Sequence, residues 1–316
     1  GEEIESTDNL APPDDTSSSH PDGPMLGIPA MPNGITAGFS GNTLLFSEAF
    51  LPHSYPLANQ ITTKDDIVGI ASIASGLLVT TKGKPLLVSG TDPSAMAMVE
   101  IDANLPNSNK RSLVDMGEYA IYSSPDGLVL ASNSGINLVT ESLFTRDQWQ
   151  DYYPSQIEGY EYEGKYLGFT FDGSDSSTKK GFIFDPRGGK NAFVNLDFYA
   201  HAGYNDREED ELYLVIGGTL KKFARSTSKR TYSWKSKEFY TNRPISLGVA
   251  KVSADSYNSL TFKLYADGSL KHTQTVTNSN IFRLPGGYQA KAFHIILEGT
   301  DPVNEVCVYE SPQEIT

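Results

Sequence analysis

Cysteine is almost absent from this sequence, since Cys307 is the only one among 316 residues. A single thiol excludes an intrachain disulfide and any metal site built from several cysteines. Cys307 alternates with Val306 and Val308 in a pattern that is typical of a β-strand. We therefore predict that Cys307 is a buried core thiol.

Long hydrophobic runs and an excess of positive charge are also lacking. The longest apolar run, IVGIASIASGLLV at residues 67–79, is too short and too rich in Ser and Gly to cross a bilayer. The net charge of −14, from 39 acidic and 25 basic residues, repels phosphate backbones. These features predict a protein that neither inserts into membranes nor binds nucleic acid. The acidity itself fits either a solvated surface or an acidic docking face.

Sequence motifs for catalysis and cofactor binding are not found. The five histidines show no metal-ligand spacing, and no P-loop, dinucleotide fingerprint or nucleophile elbow occurs. SPDGLVL begins like a sialidase Asp-box but lacks its Thr-Trp end, and Asp172 and Asp175 in FDGSDSS resemble an incomplete calcium loop. We predict a non-enzymatic protein without cofactor or metal. Paired carboxylates for glycoside hydrolysis are a spatial feature that the sequence does not reveal.

Short runs rich in Val, Ile, Leu, Tyr, Phe and Thr, broken by turn residues, dominate the chain and predict an all-β fold. A strand, glycine turn and strand recur around Gly83, Gly127, Gly173 and Gly218, at separations of 44, 46 and 45 residues. An earlier copy, GNTLLFSE, has the insertion AFLPHSYPLANQ in place of the turn. A period of about 40–50 residues is typical of propeller blades. We predict a β-propeller-like domain of about five blade units over residues 25–231, with a meandering sandwich as the alternative.

The rest of the chain predicts one further domain and one irregular segment. Residues 232–316 contain about seven alternating strands and the hairpin signal Asp267-Gly268, which predicts a β-sandwich. Residues 1–24 are acidic and rich in Ser and Pro, so we expect them to be loosely ordered. Because the chain begins with Gly1 and the first blade unit is incomplete, we expect a longer native protein. The blades then form an open arc, or the strand YSWKSKEF closes them.

Two aromatic clusters are the candidate contact sites. Each lies where a loop is expected, and their members are Phe50, His53 and Tyr55 in FLPHSYP and Trp149, Tyr152 and Tyr153 in DQWQDYYP. Aromatic side chains on loops are frequent contact anchors, but they also fill gaps between packed sheets. Both interpretations stay open at this point.

Several segments resemble uncharacterised structural proteins of tailed bacteriophages and prophages. These segments are AGFSGNTLLFSEAFLPHSYP, DDIVGIASIASGLLVTTKGKPLLVSGTDPSAMAMVEI, KRSLVDMGEYAIYSSPDGLVLAS, LFTRDQWQDYYP, YSWKSKEFY, FKLYADGSLKHTQTVT and FRLPGGYQAKAFHIILEGT. The resemblance covers nearly the whole chain after about residue 25. It implies a tail-associated virion protein that is made in the bacterial host cytoplasm. Its architecture would be comparable to that of the propeller-containing nozzle proteins of short-tailed phages, and it carries over no catalytic residues.

The function expected from these observations is that of a non-enzymatic assembly or adaptor module. Its partners would be other virion or tail subunits, and it would be oligomeric in the assembled particle. The alternative is a tail module that binds a host-surface glycan or, less in keeping with the sequence, cleaves it. In that case Trp149, Tyr152 and Tyr153 would be stacking platforms for sugar rings.

Overall fold

The computed structural model describes residues 24–74, 76–188 and 193–314. The predicted all-β fold is confirmed, because short antiparallel strands make up nearly all of the regular structure. Within these ranges the single α-helix is α1 (Arg146–Gln150). No helix in them is long and apolar enough to cross a membrane. The predicted acidic segment lies outside the described residues except for its last position.

The chain forms two compact units, Gly1–Ala224 and Arg225–Thr316. The sequence places the domain boundary after residue 231 instead. The last strand of the first unit ends at Lys222, and the first strand of the second unit begins at Tyr232. Both divisions therefore fall within the same strand-free linker.

The first unit consists of five small antiparallel sheets that follow one another along the chain. Sheet 1 contains β1 (Ala37–Ser40), β2 (Thr43–Phe46) and β3 (Gln60–Thr62). Sheet 2 contains β4 (Ile67–Ile73), β5 (Gly76–Thr81), β6 (Leu86–Ser89) and β7 (Ala97–Glu100). Sheet 3 contains β8 (Val114–Asp115), β9 (Tyr119–Ser124), β10 (Gly127–Ser132) and β11 (Gly135–Leu138). Sheet 4 contains β12 (Glu158–Tyr162), β13 (Lys165–Thr170), β14 (Lys180–Phe184) and β15 (Phe193–Leu196), and sheet 5 contains β16 (Ala202–Asp206), β17 (Glu211–Ile216) and β18 (Thr219–Lys222).

The hairpins predicted from the glycine spacing are present in sheets 2 to 5. Gly83, Gly127, Gly173 and Gly218 each lie at the turn that joins the second strand of a sheet to its third. Gly127 has a φ of 156°, and a Cβ atom there would lie 2.3 Å from Oγ1 of Thr140, so a side chain does not fit. In sheet 1 the same connection, between β2 and β3, is the predicted insertion.

Hydrophobic clusters join each sheet to the next. In β5, Leu77 belongs to the cluster shared with sheet 1 and Leu78 to the cluster shared with sheet 3. In β13, Tyr166 belongs to the cluster shared with sheet 3 and Leu167 to the cluster shared with sheet 5. Successive side chains of a strand point to opposite faces, so these sheets are buried on both sides. The first strands of consecutive sheets also contact one another, from β1 through β4, β8 and β12 to β16.

The strand YSWKSKEF does not close this series of sheets. Its first part forms β19 (Tyr232–Lys235), which pairs with β25 (Ala290–Gly299) in the second unit. The alternative in which this strand closes the blades is therefore wrong, because Tyr232–Lys235 pair with β25 of the second unit instead. Among the described strands, none from sheet 1 pairs with one from sheet 5.

The second unit consists of two antiparallel sheets around one hydrophobic core. The larger sheet contains β19, β20 (Phe239–Ile245), β22 (Leu260–Ala266), β23 (Ser269–Thr275) and β25, and the smaller one contains β21 (Val249–Ala254), β24 (Phe282–Arg283) and β26 (Val303–Tyr309). Both β19 and β20 pair with the same long strand, β25. The predicted Asp267-Gly268 hairpin joins β22 to β23, and both turn residues have positive φ, 48° and 75°.

A buried carboxylate fixes one end of the second unit. Asp301, only 2% exposed, follows β25 and faces the loop between β21 and β22. Its side chain accepts hydrogen bonds from the Ser256 hydroxyl at 2.5 Å, the Ser259 backbone N–H at 2.6 Å and the Asn258 amide at 3.4 Å. These bonds, the one from Ser256 most of all, lower the pKa of the Asp301 carboxyl below its usual 3.8.

Asp301→Asn lowers the melting temperature of the protein at pH 7. The stabilisation by Asp301 is present above its unfolded pKa and is lost as the pH falls through its lowered folded pKa. The difference between variant and parent should therefore shrink as the pH falls below about 4. Thermal unfolding followed by circular dichroism at pH 7 and pH 3 measures both effects. Asp255→Asn, at an exposed neighbouring carboxylate, is the matched control, and an equal loss in both variants would contradict the assignment.

Candidate functional site

The Trp149 cluster forms the packing between sheets 3 and 4. Helix α1 begins with a capping box, in which the Thr145 hydroxyl accepts from the Gln148 backbone N–H and the Gln148 side chain accepts from the Thr145 N–H. The helix thereby places Trp149 in the cluster that sheets 3 and 4 share, where it is completely buried. Its indole N–H donates to the Ser124 backbone carbonyl at 2.9 Å. Trp149 therefore fills a gap between sheets, and its assignment as a contact anchor is wrong.

The other cluster divides into exposed and buried members. Tyr55 is completely buried, so it also cannot contact a second molecule. Phe50 is 78% exposed and His53 is exposed as well. Phe50 covers Gly34, where a Cβ atom would lie 2.5 Å from the Phe50 ring. Of this loop, Phe50 and His53 are the predicted anchors that the structure leaves accessible.

Tyr152 is half-buried, and its ring is engaged by neighbours. The ring stacks with Trp149 at 5.6 Å between centroids, and the Lys180 ammonium lies 5.2 Å from its centroid. The hydroxyl donates to Oδ1 of Asn195 at 2.8 Å, and burial raises its pKa, so it is a protonated donor at neutral pH. Tyr153, also half-buried, lies under the same ammonium at 5.5 Å. These contacts do not favour the predicted platform for sugar rings.

A cavity of about 500 Å³ lies beside Tyr152 and is rich in hydrogen-bond donors. The half-buried Lys179 and Lys180 line it together with the amide side chains of Gln148 and Asn195. No carboxylate of the described residues lies within 4.0 Å of either ammonium; Lys180 instead donates to the backbone carbonyl of Asp151. Asp151 also lines the cavity, and its carboxylate is a further acceptor beside it. A ligand with both an anionic group and hydroxyls matches this set of groups.

The loop that resembles a calcium site satisfies its own carboxylate. Asp172 accepts from the Thr178 hydroxyl at 2.6 Å and from the Ser174 N–H and hydroxyl at 2.8 Å. These bonds, with that of Thr178 first, lower the pKa of Asp172 to about 2. Across residues 24–74, 76–188 and 193–314, no three His, Cys, Asp or Glu side chains are grouped so that they could hold a metal ion.

Among the described strands of the first unit, no other sheet covers one face of sheet 5. Leu212 and Leu214 of β17 are buried towards sheet 4. The opposite face carries Tyr204, 64% exposed, across from Tyr213, and Leu220, 63% exposed, across from Val215. The sequence LYLVI is apolar at successive positions, which is typical of a strand covered on both sides. That signal could have identified this face from the sequence.

Comparison with known proteins adds no family assignment. No protein-family model matches the sequence, and no curated protein sequence is similar to it. Among solved structures, the chain is similar to an exo-β-1,3-galactanase of Phanerochaete chrysosporium in complex with β-1,3-galactotriose, with 9% identity, a TM-score of 0.34 and coverage of 90% of this chain and 95% of that one.

Two further similar structures are bacterial. For the extracellular domain of a one-component system of B. thetaiotaomicron, the identity is 11%, the TM-score 0.44 and the coverage 90% of this chain and 43% of that one. PorZ, a surface component of the type-IX secretion system of Porphyromonas gingivalis, is 13% identical to this chain. Its TM-score is 0.40, and the similarity covers 88% of this chain and 36% of that one. This chain thus spans less than half the length of either protein.

Trp149→Ala destabilises the protein by about 3–5 kcal/mol, because it leaves a cavity between sheets 3 and 4 and removes the indole bond to Ser124. Trp234→Ala is the matched control, since Trp234, the other tryptophan of the sequence, is 44% exposed. The replacement of Trp234 should lower the free energy of unfolding by a clearly smaller amount. Urea denaturation followed by circular dichroism compares the two. Equal losses would mean that Trp149 does not support the packing described above.

Proposed function

We propose that this chain is a non-enzymatic, tail-associated component of a tailed-phage or prophage virion that serves as an assembly or adaptor module. The observation that carries the proposal is the open face of sheet 5. Tyr204 and Leu220 lie exposed on this face, with Tyr213 and Val215 beside them. An exposed apolar patch of this kind is a feature of protein–protein contact sites.

The proposed architecture is an incomplete β-propeller of five blades, with a β-sandwich as the second unit. Three features support it: the near-regular spacing of the turn glycines, the pairing of strands in chain order within each sheet, and the hydrophobic clusters between consecutive sheets. In this arrangement sheets 1 and 5 are the ends of an open arc. The open face of sheet 5 is then the surface where a neighbouring subunit continues the packing.

The assignment to a phage particle is supported by the sequence resemblance, which extends over nearly the whole chain after about residue 25. Mass spectrometry of purified virions of the source phage or induced prophage tests it directly. Peptides of this chain should be present at a fixed ratio to other tail proteins. Their absence from purified particles would end the proposal.

Leu220→Glu, introduced into the phage, lowers incorporation of the protein into particles by roughly tenfold or more, because a charge at a contact anchor costs about 2 kcal/mol or more. Leu270→Glu is the matched control, at a leucine of the second unit that is 51% exposed. Both variants should retain the parental circular dichroism spectrum. Normal incorporation of Leu220→Glu would show that the open face of sheet 5 is not a contact in the particle.

A second function, the binding of an acidic host-surface glycan, is favoured by the cavity beside Tyr152. Its ammonium groups, Lys179 and Lys180, have no carboxylate partner within 4.0 Å among the described residues, and Asp151 and Asn195 offer groups for hydroxyls. A carboxylate on a sugar would meet the lysines, while neutral sugars would bind without that charge-assisted contact.

The double variant Lys179→Ala/Lys180→Ala abolishes retention of acidic polysaccharides on a glycan array at low salt. The double variant Lys82→Ala/Lys84→Ala removes the same charge from lysines that already pair with Asp66, Glu100 and Asp102, and it should retain binding. Retention that is equal in both variants, or no retention by the parent protein, would contradict this second function.

A further inference from the structure

An apolar cleft of about 520 Å³ lies beside the hydrophobic core of the second unit. Phe293 and Ile295, which belong to that core, form part of its lining. Trp234 and Phe239 also line it, and they are 44% and 45% exposed. Residues 306–309 of β26 contribute to a further side of the lining. The cleft therefore connects the core with the surface.

The hydroxyls of two lining residues are satisfied by the chain itself. The Ser236 hydroxyl donates to the Lys237 carbonyl at 2.7 Å and accepts from the Ile295 N–H at 2.9 Å. The Thr241 hydroxyl donates to the Arg243 carbonyl at 2.8 Å. None of the described residues that line the cleft has a charged side chain. Because a molecule inside finds few polar partners, its buried part has to be apolar.

Neither sheet edge beside the cleft suits an added peptide strand. The register of β20 on β25 is irregular between Tyr240 and Ile245, and β20 contains a proline. The register of β26 on β21 shifts between Ser253 and Ala254, and Tyr309 of β26 already has an interaction within the chain. Irregular register and proline protect sheet edges against strand addition. The occupant that fits is therefore a molecule that contacts the apolar lining without backbone hydrogen bonds.

A lysine supplies positive charge at the exposed side of the cleft. The Lys237 ammonium lies 5.3 Å from the centre of the Phe239 ring. No carboxylate of the described residues lies within 4.0 Å of this ammonium. Contact with an aromatic ring does not neutralise the ammonium, so it can still receive an anionic group.

Three other charged side chains on these edges are already engaged. Glu238 accepts from the Tyr240 hydroxyl at 2.6 Å, and Arg243 pairs with Glu310 at 3.6 Å. An acidic group that approaches the exposed side of the cleft therefore meets the Lys237 ammonium as its partner.

We propose that the cleft binds a free single-chain amphiphile of the fatty-acid class, with its alkyl chain in the apolar interior and its carboxylate beside Lys237. Small-molecule sites are mostly apolar, have volumes of about 300–1,000 Å³ and use a few polar groups to fix the orientation of the ligand. Burial of the alkyl chain supplies the affinity, and the ammonium orients the head group. This site uses residues of the second unit alone and does not depend on the functions proposed above.

Titration of the full chain with dodecanoate, below its micelle concentration, tests the site through fluorescence. Trp234 lines the cleft and is in part exposed, so its emission should shift to the blue in a saturable way. The completely buried Trp149 of the first unit contributes a constant background. Dodecyltrimethylammonium, which has the same chain and the opposite charge, should bind about tenfold more weakly or less.

The only thiol of the chain gives a second measurement on the unmodified protein. Contrary to its prediction as a buried core thiol, Cys307 is only half-buried, and it belongs to the lining of the cleft. A thiol reagent should therefore modify it in the absence of ligand. Dodecanoate at about ten times its Kd should slow this modification by about tenfold, because the reagent then reaches only the unoccupied fraction.

A charge deletion separates the contact of the head group from that of the chain. Lys237→Ala should weaken the binding of dodecanoate by about threefold to fivefold and leave the binding of the neutral dodecanol unchanged. Lys271→Ala is the matched control, since the Lys271 ammonium also lies over a ring, 5.6 Å from the centre of Tyr288, and Lys271 does not line the cleft. Both variants should retain the parental circular dichroism spectrum.

Three results would overturn the proposal. The first is the lack of a saturable fluorescence shift with dodecanoate, or a shift without protection of Cys307. The second is equal affinity for dodecanoate and dodecyltrimethylammonium. The third is an effect of Lys237→Ala on dodecanoate that is absent, or no larger than its effect on dodecanol.

Discussion

The first unit depends on the burial of both faces of its sheets. A sheet of three or four short strands is too small to form a core alone, and its backbone hydrogen bonds do not remove either face from water. Here each interior sheet uses both of its neighbours for this purpose, as Leu77 and Leu78 show in β5 by packing in opposite directions. The stability of any one sheet is therefore a property of the series, and the sheet at the end of the series differs physically from those within it.

The same constraint explains the aromatic clusters. The connection from sheet 3 to sheet 4 is longer than a hairpin, and its helix α1 brings Trp149 and Tyr152 to a core that also contains Phe182 of sheet 4. These rings fill the space where the two sheets meet. In the insertion of sheet 1, Tyr55 is likewise buried, whereas Phe50 remains at the surface. Aromatic residues of one short loop can therefore differ completely in burial.

Local features of the fold follow from the sequence because their causes are local. The hairpins at the four spaced glycines and the Asp267-Gly268 turn depend on residues within a few positions of each other. The burial of Trp149 depends on Ser124 and Phe182, which are distant along the chain. The pairing of β19 with β25 likewise joins segments about sixty residues apart, and a strand pattern does not name its partner.

Prediction of the candidate sites from the sequence is limited in the same way, because they too depend on contacts between distant segments. The sequence directs attention to conspicuous aromatic residues, whereas the accessible apolar face of sheet 5 is marked only by the apolar run LYLVI within one strand. The cavity near Tyr152 could not be anticipated, because Gln148 and Asn195 meet Lys179 and Lys180 only after three separate segments have packed. Long-range packing decides exposure, and exposure decides which side chains are available to a partner.

The placement of the two tryptophans gives the molecule an optical property. Each compact unit contains one of them, Trp149 in the first and Trp234 in the second. Trp149 sits in a dry aromatic environment, whereas Trp234 is in part hydrated, so their fluorescence emission differs in colour and in response to quenchers. The unfolding of each unit can thus be followed through the fluorescence of its own tryptophan.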